Sequence, residues 1–162
     1  MSEKAAVTIE VNGTPHDVKA SLYDTLLTAL RDQIELTGAK RGCNQGVCGA
    51  CTILVDGVPV RACLSLALNS EGRRIQTIEG LSDDPLMQVL HRAFIERGAF
   101  QCAFCTPGML ISAYALIQGG GPVDDADVRS AMSGNLCRCT GYMKIIEAVQ
   151  VAARDWRAGG VR

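Results

Sequence analysis

All eight cysteines of the chain fall into two sets of four, and each set is spaced for metal ligation. The first set, Cys43, Cys48, Cys51 and Cys63, reads C-x4-C-x2-C with a fourth cysteine after eleven further residues. The second, Cys102, Cys105, Cys137 and Cys139, is a CxxC pair and a CxC pair held apart by 31 residues. A fold for this chain must therefore bring four thiols together twice. The N-terminal run MSEKAAVTIEVNG lacks the apolar stretch of a secretory signal, and nowhere do roughly 20 apolar residues accumulate for a membrane span. A cytoplasmic location is expected, and there such cysteines are metal ligands rather than disulfides.

The first spacing is that of plant-type 2Fe–2S ferredoxins. Such a core needs four converging thiolates and backbone donors for its sulfurs. The loop from Arg41 to Cys51 offers Gly42, Gly46 and Gly49, which permit positive φ and close backbone approach. Lys40 and Arg41 have two roles open to them, offsetting cluster charge or lying solvated at a helix exit. Zinc is the rival ligand set, though it usually takes paired CxxC knuckles rather than three ligands in one loop. For the second set, spacing alone leaves zinc and thiol exchange open. Thr106-Pro107 after Cys105 reads as an N-cap with proline in the first turn, and Thr140 after Cys139 is placed to cap the last helix. Helix N-termini would then face both ligand pairs and favour an anionic cluster.

Length and pattern divide the chain into two halves. At 162 residues and 48% hydrophobic content it can bury a core, and 16 basic against 17 acidic residues leave no nucleic-acid footprint. Each 2Fe–2S core with four thiolates adds a charge of about −2, so the loaded protein is more acidic than its formal charge of −1. In the first half, Val7, Ile9 and Val11 alternate, and Asn12-Gly13 turns the chain into a strand near Val18. Ser21, with Asp24 as capping-box partner, predicts a helix over 22–33 whose apolar face is Leu22, Leu26, Leu27 and Leu30. Thr52–Val55, Asp56-Gly57 and Val58–Cys63 predict a hairpin, with a closing strand over Arg74–Ile78. In the second half the period becomes helical. Helices are predicted over 86–97 with Gly98 as stop, from Pro107 to Gln118, over 124–132 and over 142–156. The expected class is α+β: a β-grasp ferredoxin-like domain over 1–80, then a four-helix bundle over 81–162, joined near Gly80–Asp84.

Other candidates are bland. His16 and His91 are isolated. Gly119–Gly121 lacks a phosphate-binding context and reads as a helix-breaking turn. Met109, Met132 and Met143 read as core filler. No paired carboxylates, Ser–His pair or nucleophile elbow stands out, so the chain carries no visible substrate-converting site.

The segments GCNQGVCGACTILVDG (42–57), QCAFCTPGM (101–109) and GNLCRCTGY (134–142) together resemble the iron–sulfur subunit of the molybdenum hydroxylases, the xanthine oxidase family. That family includes carbon monoxide dehydrogenase, aldehyde oxidoreductases, N-heterocycle dehydrogenases and 4-hydroxybenzoyl-CoA reductase. The resemblance covers nearly the whole chain and is of the bacterial heterotrimeric type. It implies two 2Fe–2S clusters on this chain, the helical one nearest the pterin and the plant-type one facing the flavin. It implies a large subunit with molybdenum on molybdopterin, as the cytosine dinucleotide, and a medium subunit with FAD, assembled as a dimer of heterotrimers. Gln101 and Cys139 match positions that approach the pterin. Electrons would run from molybdenum through both clusters to FAD, the coenzyme-A reductase branch running the other way. One departure stands out: Ala103 occupies the position of a glycine in the family's QCGFC. A free-standing two-cluster carrier is the rival reading, and Gln101 with an added helical domain has no purpose in it.

Overall fold

The first strand alternates because only one of its faces is covered. In the computed structural model, which describes residues 4–159, β1 (Ala5–Val11) buries Val7, Ile9 and Val11 and leaves Thr8 and Glu10 exposed. Asn12 and Gly13, both at positive φ, turn it into antiparallel β2 (Thr14–Ala20), with Val7 opposite Val18. Asp56 and Gly57 do the same between β3 (Thr52–Val55) and β4 (Val58–Arg61). A short β5 (Arg74–Gln76) lies parallel to β1 and antiparallel to β3, giving one mixed sheet ordered β2-β1-β5-β3-β4. Helix α1 (Leu26–Asp32) lays Leu26, Leu27 and Leu30, all fully buried, into the same core as Ile9, Ile53 and Ile75.

The predicted start of α1 is corrected. Residues 21–24 form a turn in which Asp24 accepts the Ser21 N–H at 2.8 Å, and the helix begins four residues later with Thr25 as N-cap. The reason is remote in sequence. The N–H groups of Leu26 and Leu27 donate to the carbonyls of Ser65 and Ala62, so the segment around Cys63 satisfies the helix's first turn. Leu22 is thereby left exposed instead of joining the apolar face. The strands also end early: β4 stops at Arg61 rather than Cys63, and β5 at Gln76.

The second half is four helices. α2 (Pro85–Arg97) is capped by Asp84, whose carboxylate takes the N–H groups of Leu86 and Met87, and is ended by left-handed Gly98. α3 (Thr106–Gln118) follows the CxxC loop, α4 (Asp125–Met132) opens on an Asp124–Asp127 capping box, and α5 (Met143–Ala158) packs against α2. Two predicted caps are not formed. Thr106 is the first helical residue rather than the cap, a place taken by Cys105 without a side-chain bond, and Thr140 lies outside α5 altogether. The core holds Phe94, Met109, Ile111, Val149 and, less deeply, Trp156, whereas Met143 is 63% exposed and not core filler. Strand β3 belongs to both cores: Ile53 faces the first and Leu54 the second, so Thr52–Leu54 is buried without alternation. The outermost residues of the two expected domains, 1–3 and 160–162, lie outside the described residues.

Candidate metal centres

The loop 42–51 is shaped by contacts that exclude side chains. Gly46 and Gly49 adopt positive φ, as expected; Gly42 does not. A Cβ at Gly42 would come within 2.9 Å of Cys48 Sγ, and one at Gly46 would run into Leu64. The close fit turns main-chain donors inward. The N–H of Gln45 and that of Cys48 donate to Cys43 Sγ at 3.3 and 3.4 Å, the N–H of Cys43 to Cys48 Sγ at 3.4 Å, and the N–H of Gly46 to Cys63 Sγ at 3.2 Å. The N–H groups of Cys48 and Gln45 stabilise a thiolate and bring the Cys43 thiol down to about 6. Burial has the opposite effect on Cys51, which is pushed up to about 11 and meets the thiol of Cys63. Lys40 and Arg41 take the solvated role: Lys40 donates to the Thr37 carbonyl, and Arg41 pairs with Asp32 at 3.0 Å.

The second set meets in the same two-by-two way. Sγ of Cys102 and Sγ of Cys139 lie 3.6 Å apart on the surface, and Cys105 meets Cys137 beneath them. A tetrahedral metal with bonds of about 2.3 Å holds two sulfurs about 3.8 Å apart, so the outer pair has the spacing of two ligands on one metal. Burial pushes Cys105 up to about 12. At Cys137 burial acts upward too, but the Thr140 hydroxyl and neighbouring amides outweigh it and the thiol is lowered. The hydrogen bond shared with Cys102 raises Cys139. Among the described residues no three or more His, Cys, Asp or Glu form the shell of a single ion; a 2Fe–2S core instead asks two thiolates of each iron. The inward N–H groups, the space only glycine leaves and the paired sulfurs all fit such a core.

Gln101 and Cys139 are brought together: Gln101 Nε2 donates to the Cys139 carbonyl at 3.0 Å, both residues being exposed. Ala103, between the CxxC cysteines, stands at φ 60°, a conformation that costs a non-glycine residue about 1–2 kcal/mol. Ala103→Gly is expected to stabilise the chain by about 1 kcal/mol, read as a rise in the thermal midpoint. His91, on α2, is partly buried and its pKa is lowered by that burial; His16 lies on β2.

Sequence patterns did not reveal Asn135 and Arg61, which tie the two sets together. Asn135 is 2% exposed; its Nδ2 donates to the Gly49 carbonyl at 3.2 Å and to Thr52 Oγ1 at 3.3 Å, and its Oδ1 accepts from Ser112 at 2.9 Å. Arg61 donates at 2.6 Å both to Thr52 Oγ1 and to the Gly134 carbonyl. Beside them the Leu136 N–H donates to the Cys48 carbonyl at 2.8 Å. The loop of one cysteine set thus rests on the loop of the other.

A mixed sheet with one cysteine loop, and a helix bundle with another, define a two-cluster iron–sulfur electron-transfer protein. Two family profiles agree: residues 3–91 match one described as "2Fe-2S iron-sulfur cluster binding domain", and 77–150 one described as "[2Fe-2S] binding domain". The chain is 49% identical over 148 residues to the nicotine 6-hydroxylase small subunit of Paenarthrobacter nicotinovorans, covering 91% of this chain and 89% of that one. It is 42% identical to the nicotinate dehydrogenase small FeS subunit of Eubacterium barkeri, covering 92% and 95%. Among solved structures it superposes on quinoline 2-oxidoreductase from Pseudomonas putida 86 with a TM-score of 0.87, 44% identity and coverage of 99% and 100%. Aldehyde oxidoreductase from Desulfovibrio desulfuricans gives 0.86 and 38%, covering 98% of this chain and 17% of that one. The chain belongs to the iron–sulfur subunits of the molybdenum hydroxylases. It is an electron-transfer subunit carrying two 2Fe–2S clusters, and it works as part of a multi-subunit oxidoreductase.

Proposed function

We propose that Cys43, Cys48, Cys51 and Cys63 hold one 2Fe–2S cluster, and that Cys102, Cys105, Cys137 and Cys139 hold the other. The observation that carries this reading is the pairing of sulfurs: Cys43 with Cys48, Cys51 with Cys63, Cys105 with Cys137, and Cys102 with Cys139 at 3.6 Å. Each cluster, when bound, takes up and passes on a single electron. The residues of this chain fix where that happens. Cys102 and Cys139 are exposed, and Gln101 beside them is oriented by the Cys139 carbonyl. This edge is the one we assign to the molybdopterin of a large subunit, with Gln101 and Cys139 as its contacts. The Cys43 loop, at the other end of the relay, we assign to the FAD of a medium subunit, in a dimer of heterotrimers. Substrate electrons enter at Cys102 and Cys139 and leave at the first set.

The division we propose falls at residue 80, with 1–80 as the β-grasp unit and 81–162 as the helical unit. The short 3₁₀ turn Glu79–Leu81 supports it, since Leu81 is already part of the helical core. No helix among the described residues is long and apolar enough to cross a membrane, and a cytoplasmic place for the complex is part of the same proposal. The purified complex should contain about four irons and four labile sulfides per copy of this chain, with two distinguishable EPR signals on reduction. A single signal, or a colourless zinc-bearing product, would overturn the ligand assignment. Purification of the chain as an independent carrier, without flavin- or molybdopterin-bearing subunits, would overturn the partner assignment.

A further inference from the structure

Thr140 lies one residue past Cys139, in the turn that leads into α5, and it caps nothing. Its Oγ1 accepts the N–H of Tyr142 at 3.3 Å and donates to Cys137 Sγ at 3.1 Å. Tyr142, held at φ 68°, places its Oη on the N–H of the same cysteine at 2.9 Å. Cys137 is therefore gripped at sulfur and at nitrogen by two side chains of one turn. Among the described residues Thr140 is the only one whose hydroxyl reaches a cysteine sulfur; the first set is served by main-chain N–H groups.

We propose that Thr140 is a positioning residue that tunes the potential of the helical-domain cluster, an inference that rests on the ligand reading above. An O–H···S bond withdraws charge from a thiolate and stabilises the reduced state, and hydrogen bonds to charged groups are about twice as strong as neutral ones. The bond falls on one side only. Cys137 and Cys105 form the half-buried pair, whereas Cys102 and Cys139 are exposed. Cys137 also follows Leu136, whose N–H bonds the carbonyl of Cys48 in the first set. Thr140 thus favours the electron on the inner side of its site, toward the next carrier. One electron arrives from the molybdenum side and one leaves for the first set. The Thr140 proton stays on Oγ1 throughout, and no bond is broken.

The test is a redox-poised EPR titration of the intact complex carrying Thr140→Val and, in parallel, Thr140→Ser. Thr140→Val should lower the helical-domain midpoint so that the electron distribution between the clusters shifts about tenfold toward the first, 59 mV for a one-electron couple. The first cluster's midpoint should stay put, and Thr140→Ser, which keeps the hydroxyl, should match the wild type. A Thr140→Val complex with both signals and an unchanged distribution overturns the role of Thr140 and leaves the ligand reading intact. A wild-type complex with one signal overturns the ligand reading itself. Loss of the helical-domain signal in Thr140→Val but not in Thr140→Ser would make the hydroxyl an assembly element and overturn its tuning role.

Discussion

Cys139→Ser is expected to stop electron flow to the flavin while leaving one cluster signal intact. Cys139 shares an edge with Cys102 and holds Gln101 through its carbonyl, and in the proposed order its sulfur is the entry point of the relay. Changes to groups that merely support a metal ligand cost about 10–100-fold, and loss of the ligand itself should exceed about a hundredfold in turnover with an acceptor drawing from the flavin. The EPR signal of the first set should persist. An acceptor that takes electrons directly from molybdenum should still support turnover if, as proposed, the molybdopterin sits on a separate large subunit. Cys43→Ser should do the reverse, sparing the helical-domain signal and removing the first. Full flavin-side turnover in Cys139→Ser would falsify the assigned order.

Gly49→Ala should produce the largest loss of stability. Gly49 stands at φ 72°, and a Cβ there would run into the Gly134 carbonyl and lie 2.8 Å from Asn135 Nδ2. Gly108 also lies against the carbonyl of Gly49, where an added Cβ would collide with it. Left-handed strain of about 1–2 kcal/mol adds to an overpacking cost of about 1–3 kcal/mol. The thermal midpoint should fall by about 5–15 °C. Gly57→Ala is the control. It has φ 80°, and a methyl group added there would meet nothing within 4 Å, so only the backbone cost applies. Equal losses in the two variants would show that the contact between the cysteine loops contributes nothing to stability.

The parts of this fold that are legible in the sequence are those decided by neighbours along the chain. Asn12-Gly13 and Asp56-Gly57 make hairpins because both residues of each pair accept positive φ, and Gly98 stops α2 for the same reason. The cysteine spacings announce two sets of four, and the two profile matches agree on two 2Fe–2S domains. What is not legible is decided across the molecule. Ser21 and Thr25 are equally good caps by residue type; the choice falls to Thr25 because the distant carbonyls of Ser65 and Ala62 take the next two N–H groups. Thr106 and Thr140 look like caps by type and place, yet Thr140 gives its hydroxyl to a sulfur ahead of the helix that its position in the sequence would have it cap. Asn135 gives no signal at all, since a lone asparagine before a CxC pair looks like a loop residue until Gly49, Thr52 and Ser112 are seen around it.

The seam at Gly49, Gly108, Gly134 and Asn135 bears on how such a chain could be rebuilt. Each half completes the packing of the other, with Leu54 of the sheet part of the helical core and Asn135 of the bundle bonded into the sheet's cysteine loop. A chimera that grafts a foreign ferredoxin onto this bundle would bring a side chain to the place of Gly49, where only a hydrogen atom fits, and would leave the Asn135 amide without its partners on Gly49 and Thr52. The transplantable unit is therefore the pair of halves together, and a designer seeking to change one cysteine loop must work within a frame that the other half holds in place.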